Sequence, residues 1–117
     1  MELTEISYHD ARPIDGYGPG FFRIAGQVIE GGIAVLPSGS VAWAGLDDAA
    51  ALMTAVAEID VLLIGTGAEI AAVPPEFRDR LEGAGIGVEP MATPAACRTY
   101  NMLLAEGRRV GAALIPV

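Results

Sequence analysis

The 117-residue chain contains no lysine, one cysteine and one histidine, and each scarcity excludes a class of site. Without lysine there can be no phosphate-binding Walker loop, because the lysine of that loop contacts the nucleotide phosphates. The single cysteine, Cys97, excludes an internal disulfide and any zinc framework built from several cysteines. We therefore expect neither a metal nor a cofactor.

Basic side chains are also scarce, since seven arginines stand against fifteen acidic residues and the formal net charge is -8. Nucleic acids and anionic membrane surfaces are bound by clustered cations, and the pair Arg108-Arg109 is too short to form such a patch. No apolar run approaches the roughly 20 residues of a membrane span. The acidic residues 1–10 do not resemble a targeting signal. We expect a cytoplasmic protein that neither binds nucleic acid nor inserts into a membrane.

The composition is that of a folded domain, with 52% hydrophobic and 19% charged residues. A chain of this length can bury roughly two-thirds of its unfolded surface without help from a metal or disulfide. Residues 1–117 are therefore expected to form a single domain.

The first half of the chain has the pattern of antiparallel β structure. Short apolar runs occupy residues 21–24, 27–30, 33–36 and 40–43, and glycine pairs or the turn 37–39 separate them. Such punctuation predicts hairpins, which could extend a central sheet or cover one of its faces. The glycine- and proline-rich residues 13–20 predict an irregular opening segment or tight turns.

The second half alternates helical patterns with apolar strands. An apolar stripe at Ala49, Leu52, Met53 and Val56 predicts a helix capped by Asp47. Prolines at 74–75 and at 94 mark the starts of two further helices. Apolar strands are expected at 61–64, 86–89 and 108–115. Helices that alternate with apolar strands predict an α/β domain, in which helices cover a central sheet.

The strand before Gly65 is apolar on both faces and leads into a glycine-threonine-glycine turn. Ligands of open α/β sheets bind beyond the carboxyl ends of the strands. If neighbouring strands are parallel, the start of the third helix faces this turn across a crevice, and its free amides together with Arg98 suit an anion. The predicted crevice comprises Gly65, Thr66, Gly67, Glu89, Thr93, Cys97, Arg98, Tyr100 and Asn101.

Each of these residues also has a purely structural interpretation. Thr93 can cap the third helix and occupy one of its amides. Cys97 is either a thiolate activated by the helix terminus or a buried, inert thiol, and no spacing argument brings His9 to it. Tyr100 can be a core tyrosine with a bonded hydroxyl, and Asn101 can fasten a neighbouring loop. Glu89 is an acid or base candidate without a second carboxylate beside it. We therefore assign no catalytic residue.

Several motifs together resemble one small-domain family. They lie at 14–18, 60–67, 85–89, 93, 96–101 and 106–110. The family is the domain of unknown function shared by mitochondrial NADH dehydrogenase (complex I) assembly factor three and adipogenesis-associated Mth-domain proteins. The resemblance covers the chain from about residue 4 to its end.

This resemblance implies a three-layer α/β fold. Its central mixed sheet has about five strands, helices lie on the faces, and a small N-terminal β-hairpin layer sits alongside. The last strand is expected to run antiparallel to the rest. The resemblance implies no catalytic activity, and it implies a binding or assembly module that acts through protein contacts. The alternative is a binder of a small polar or anionic ligand, or an enzyme, that uses the crevice between the turn at 65–67 and the helix start at 93–101. Exposed β edges leave a homodimer open.

Overall fold

The computed structural model describes residues 12–117. Tyr8, His9 and the remainder of the opening stretch 1–10 lie outside the described residues. The elements in chain order are β1 (Ile14–Gly18), β2 (Phe21–Ile24), β3 (Gln27–Glu30), β4 (Ile33–Leu36), β5 (Gly39–Ala42), α1 (Ala50–Met53), β6 (Val61–Thr66), α2 (Pro75–Gly83), β7 (Gly87–Met91), α3 (Thr93–Ala105) and β8 (Val110–Ile115).

The strands form two sheets, as expected for a mixed central sheet with a small β layer. The central sheet has five strands in the order β5-β4-β8-β6-β7, and the small sheet has the order β1-β2-β3. The sequence left open whether the early hairpins extend the central sheet or cover one of its faces, and the structure contains both arrangements. The β4–β5 hairpin extends the central sheet, and the first three strands form the separate layer. The residues predicted to be irregular, 13–20, contain β1.

The predicted direction of the last strand was wrong. Strand β8 pairs parallel with β6, which in turn pairs parallel with β7, whereas β8 is antiparallel only to β4. Helix α3 carries the chain back from the end of β7 to the end at which β7 begins. A turn at Gly107, where φ is +80°, then sends β8 in the same direction as β7. The strand of the central sheet that runs antiparallel to its neighbours is β4, which is joined to β5 by a hairpin instead of a helical crossover.

Two apolar cores cover the two faces of the central sheet. Leu62 and Ile64 of β6 pack with the helix residues Leu52 and Leu81 on one face. Leu63 points to the other face, where the core is built from α3 and the small sheet. Successive residues of a strand point to opposite faces, so only a strand apolar on both sides can lie here. The prediction that residues 61–64 form a doubly covered strand is confirmed.

Helix α1 is shorter than its apolar stripe predicts. It spans a single turn, and turns rather than helix continue through residues 54–58. The side chain of Asp48, not that of Asp47, accepts a hydrogen bond from the Ala51 amide at 3.3 Å. Helices α2 and α3 begin at prolines or directly before one, as predicted. In residues 12–117 no helix is long and apolar enough to cross a membrane.

Candidate functional site

Thr93 and Gly67 join the start of α3 to the turn after β6. The Thr93 amide donates to the Gly67 carbonyl at 2.7 Å, and the Gly67 amide donates to Thr93 Oγ1 at 2.8 Å. The same hydroxyl donates to the Ile115 carbonyl at 2.6 Å at the end of β8. Thr93 is completely buried. One side chain therefore fastens three elements to one another.

This use of the hydroxyl differs from the predicted helix cap. Ala92 precedes the first helical residue, and Thr93 is itself that first residue. Its hydroxyl bonds the backbone of two strands' ends and makes no cap bond within α3. The hydroxyl that the local pattern assigned to the helix start instead bonds backbone groups of other elements.

Gly65 allows β6 to approach α3 closely. A Cβ atom at this position would lie 2.7 Å from Thr93 Oγ1 and 2.8 Å from Leu114 Cδ2. Both neighbours are completely buried, so a Cβ atom here would force packed core groups to shift. The glycine is therefore required by helix-to-strand packing, whatever else the turn does.

Thr66 shapes the loop that follows β6. Its hydroxyl donates to the Glu69 carbonyl at 2.8 Å and accepts from the Ala71 amide at 2.9 Å. The Met91 carbonyl lies 3.3 Å away on the other side. Such local bonds from threonine hold a loop in one conformation.

Tyr100 and Asn101 fasten the first described residues to α3. The Tyr100 hydroxyl donates to the Arg12 carbonyl at 2.8 Å. Asn101 Oδ1 accepts from the Ile14 amide, and Asn101 Nδ2 donates to the Ile14 carbonyl, both at 2.8 Å. The side-chain amide thereby bonds β1 as a neighbouring strand would. This is the structural role that the sequence offered for Asn101.

Cys97 lies in the apolar core between α3 and the small sheet. Burial raises the pKa of its thiol to about 11, although the nearby Arg98 guanidinium acts in the opposite direction. Burial also raises the pKa of the Tyr100 hydroxyl. At neutral pH both groups carry their protons, and Cys97 has the character of a buried, inert thiol.

The structure thus separates the predicted crevice residues into three groups. Gly65, Thr66, Gly67 and Thr93 meet at the carboxyl end of β6. Cys97, Tyr100 and Asn101 lie along α3 toward the small sheet. Arg98 and Glu89 are exposed, the latter on β7. Occupation of the crevice by a ligand stays a prediction, and most of its polar groups already have partners in the chain.

Two surface depressions flank α2, and neither was predicted from the sequence. One has a volume of about 530 Å³ and is lined by Ile70, Ala71, Ala72, Val73, Arg78 and Pro90. The other has a volume of about 280 Å³ and includes Leu46, Phe77 and Arg80. The signal for the first was present in the chain. An apolar run at 70–73, which belongs to no predicted strand or helix, precedes α2.

Acidic, histidine and cysteine side chains do not gather into a metal-binding cluster anywhere in residues 12–117. The two ion pairs found there, Arg78–Glu82 at 3.0 Å and Arg109–Asp60 at 3.3 Å, lie on the surface. Surface pairs of this kind contribute little to stability.

Comparison of the sequence with known proteins gives relatives along the whole chain. An uncharacterized protein of Rhodobacter capsulatus is 51% identical over 100% of this chain and 94% of its own length. NADH dehydrogenase [ubiquinone] 1 alpha subcomplex assembly factor 3 of Homo sapiens is 36% identical over 99% of this chain and 67% of its own length. The factor of Danio rerio is 36% identical over 88% of this chain, which spans 63% of that relative.

Solved structures confirm the fold. A crystal structure from Bartonella henselae, described as an outer membrane protein, superimposes with a TM-score of 0.85 at 40% identity, covering 94% of this chain and 98% of the other. The solution structure of a Mth938-like domain from Bordetella pertussis gives a TM-score of 0.74 at 32% identity, covering 90% and 85%. A family model described as protein of unknown function (DUF498/DUF598) matches residues 14–115. The chain therefore belongs to this family.

Proposed function

We propose that the chain is a non-enzymatic binding module that assists assembly of a respiratory complex, namely NADH dehydrogenase, through protein contacts. The observation that carries the proposal is its similarity to assembly factor 3, which extends over 99% of this chain in the human protein. The chain spans about two-thirds of the length of these relatives, so the role transfers to it as a proposal.

The disposition of polar groups supports a binding role over a catalytic one. A catalytic acid, base or nucleophile must present its polar atoms to a reactant. The hydroxyls of Thr66, Thr93 and Tyr100 instead bond the chain's own backbone. Cys97 is protonated and buried.

The loop before α2 offers a surface for protein contact. Ile70 is 67% exposed, more than any other large hydrophobic residue in the described part of the chain. It lies beside Ala71, Ala72 and Val73 in the larger depression. Contiguous exposed apolar residues of this kind are typical of interaction sites. We propose this depression as the place where a partner protein is held.

The experiment is deletion of the gene from a host that contains both this chain and NADH dehydrogenase. We expect the mature complex to decrease and subcomplexes to accumulate on native gels, with NADH oxidation falling in parallel. Succinate dehydrogenase is the control complex and should remain at its normal level. Unchanged amounts of mature NADH dehydrogenase in the deletion strain would contradict the proposal.

Complementation with surface variants tests the contact surface separately. Ile70→Ser should fail to restore assembly, whereas Val28→Ser should restore it fully. Val28 is the matched control because it is 55% exposed and lies on a different layer of the molecule. If both variants complement equally, the assembly role survives and the depression is not its contact surface.

Localisation in the cytoplasm is part of the same proposal. After fractionation of cells that express the tagged protein, we expect it in the cytoplasmic fraction. Any part of it that sediments with membranes should be released by high salt. Recovery in an outer-membrane fraction would count against it.

A further inference from the structure

The described part of the chain has four strands at sheet edges, and three of them are protected. The edge strands are β1 and β3 in the small sheet and β5 and β7 in the central sheet. An edge strand presents backbone donors and acceptors that pair readily with another strand unless something blocks them. The protection of each edge can be read from its residues.

Both outward-facing residues of β7 are blocked. The Gly87 amide bonds toward β6, to the Asp60 carbonyl at 2.9 Å, so alternation turns the backbone groups of Val88 and Pro90 outward. The Val88 carbonyl accepts a bond from Arg78 Nη2 at 3.0 Å. Pro90 has no amide hydrogen to offer. No strand can pair along this edge without displacing the arginine.

The edges of the small sheet are protected in two other ways. At β1, Asn101 bonds both the amide and the carbonyl of Ile14. At β3, the exposed Glu30 places a carboxylate on the edge. A charge on an edge strand disfavours pairing, most of all with a chain that is itself acidic.

Among the described residues 12–117, none supplies such a protection at the edge of β5. The chain contains no charged residue between Glu30 and Asp47, and β5 itself contains no proline. All four residues of β5 are exposed. The Trp43 amide bonds toward β4, to the Gly32 carbonyl at 3.1 Å, so alternation turns the backbone groups of Ser40 and Ala42 outward.

We propose that β5 pairs antiparallel with β5 of a second copy of this chain, so that two central sheets join into one across a twofold axis. The axis passes beside Val41, which faces the partner's Val41. Ser40 then faces the partner's Ala42, and each of these pairs exchanges two backbone hydrogen bonds, because both residues are turned outward. The edge is self-complementary, since its two outward residues flank Val41 symmetrically.

Charge and apolar exposure favour a second copy as the occupant of this edge. Each chain carries a formal net charge of -8, so two copies repel one another over most of their surfaces. The uncharged stretch between Glu30 and Asp47 is where they can approach without opposing carboxylates. Val41, which is 45% exposed in the single chain, would be covered by Val41 of the second copy.

The resulting dimer is weak because the strand is short. Stable interfaces bury about 1,200–2,000 Å² in total, and β5 contains only four residues. We therefore expect a monomer–dimer equilibrium that depends on protein concentration. This inference is independent of the proposed assembly role.

Sedimentation of the full chain measures the equilibrium directly. The mass should rise from the monomer's 12.1 kDa toward twice that value as the concentration is raised into the high micromolar range. Val41→Lys should keep the chain monomeric throughout, since it places two ammonium groups opposite each other. Val28→Lys, a control at a somewhat more exposed valine on β3, should dimerise as the unmodified chain does.

Disulfide trapping tests the register. Val41→Cys should give a covalent dimer under mild oxidation, because Cα atoms of a non-hydrogen-bonded antiparallel pair lie about 4.5 Å apart, within disulfide range. Val28→Cys is the matched control, and Ser40→Cys should not cross-link because it faces Ala42 of the partner. The native Cys97 is buried and gives no background.

The outcomes separate the alternatives. The proposal would be overturned if the chain stays monomeric at every concentration and the Val41→Cys variant does not cross-link. The same result is expected if the strand of a different protein binds this edge, and it would overturn the proposal in that case too. Efficient cross-linking of Val28→Cys with none at position 41 would also overturn it, because the dimer would then use β3.

Discussion

At the scale of single residues, α3 shows how one helix can hold a fold together through polar groups. Thr93 bonds two neighbouring elements from the start of the helix, and Asn101 bonds a third from its middle. Each supplies hydrogen bonds to backbone groups of another element. Buried or half-buried backbone groups that lose a partner are costly, which makes these side chains sensitive points.

Substitution of Asn101 tests the clamp on β1. Asn101→Ala removes both bonds to Ile14 and should lower the free energy of unfolding by about 1–3 kcal/mol. Urea denaturation measures the loss, and hydrogen exchange should show faster exchange at the Ile14 amide. The neighbouring Met102→Ala, at an exposed position, should change stability by less than about 0.5 kcal/mol. Equal effects of the two variants would show that the clamp contributes nothing.

Burial of Cys97 should make the stability of the fold depend on pH in the alkaline range. Burial raises the pKa of its thiol from 9.0 to about 11, so the unfolded chain loses this proton first as the pH rises. The stabilising contribution is complete below about pH 9 and should disappear progressively between pH 9 and 11. Burial of Tyr100 raises its pKa as well and acts in the same direction above pH 10.

The measurement compares denaturation of the unmodified chain and Cys97→Ala across this range. The variant should lose less stability between pH 9 and 11, with the remaining decline due to Tyr100 and other groups. A thiol reagent at pH 8 should react slowly with the folded chain and rapidly in denaturant. Fast reaction in the folded state would show that Cys97 is accessible and ionises more readily than a buried thiol.

At the scale of elements, the contact between β6 and α3 determines which residues the junction tolerates. Gly65→Ala would push a Cβ atom to within 2.8 Å of two buried neighbours, Thr93 and Leu114. We expect a loss of about 1–3 kcal/mol, measured by urea denaturation, from overpacking in a close-packed interior.

The matched control is another glycine, in α2. Gly83→Ala meets nothing within 4 Å and should stabilise the chain by up to about 1 kcal/mol through helix propensity. Opposite signs for the two substitutions are the expected result. A neutral Gly65→Ala would mean that α3 can move away from β6 at little cost.

At the scale of the whole molecule, the net charge of -8 opposes compaction. Salt screens repulsion between exposed charges, so raising sodium chloride from about 20 to 200 mM should raise Tm by about 2–5 °C in dilute solution. The double variant Glu69→Gln and Asp79→Asn, at two exposed positions, should show a higher Tm at low salt and a smaller response. A Tm that falls with salt would show that attractive ion pairs dominate.

The sequence alone was sufficient for the elements with strong local patterns. The doubly buried strand 61–64, the proline-started helices α2 and α3 and the early hairpins all follow from side-chain periodicity and turn residues. Family resemblance supplied the three layers and the number of strands. These features depend on residues close together in the sequence or on family motifs, and both can be identified without the tertiary structure.

The direction of the last strand and the partners of the polar side chains were decided by the tertiary structure, because both involve groups far apart in the chain. The direction of β8 depends on the path of α3, which no local pattern specifies. The same holds for polar partners. The local pattern made Thr93 a helix cap, whereas its hydroxyl bonds Gly67 and Ile115. Periodicity identified which side chains are buried, and only the fold determined which backbone groups their polar atoms would meet.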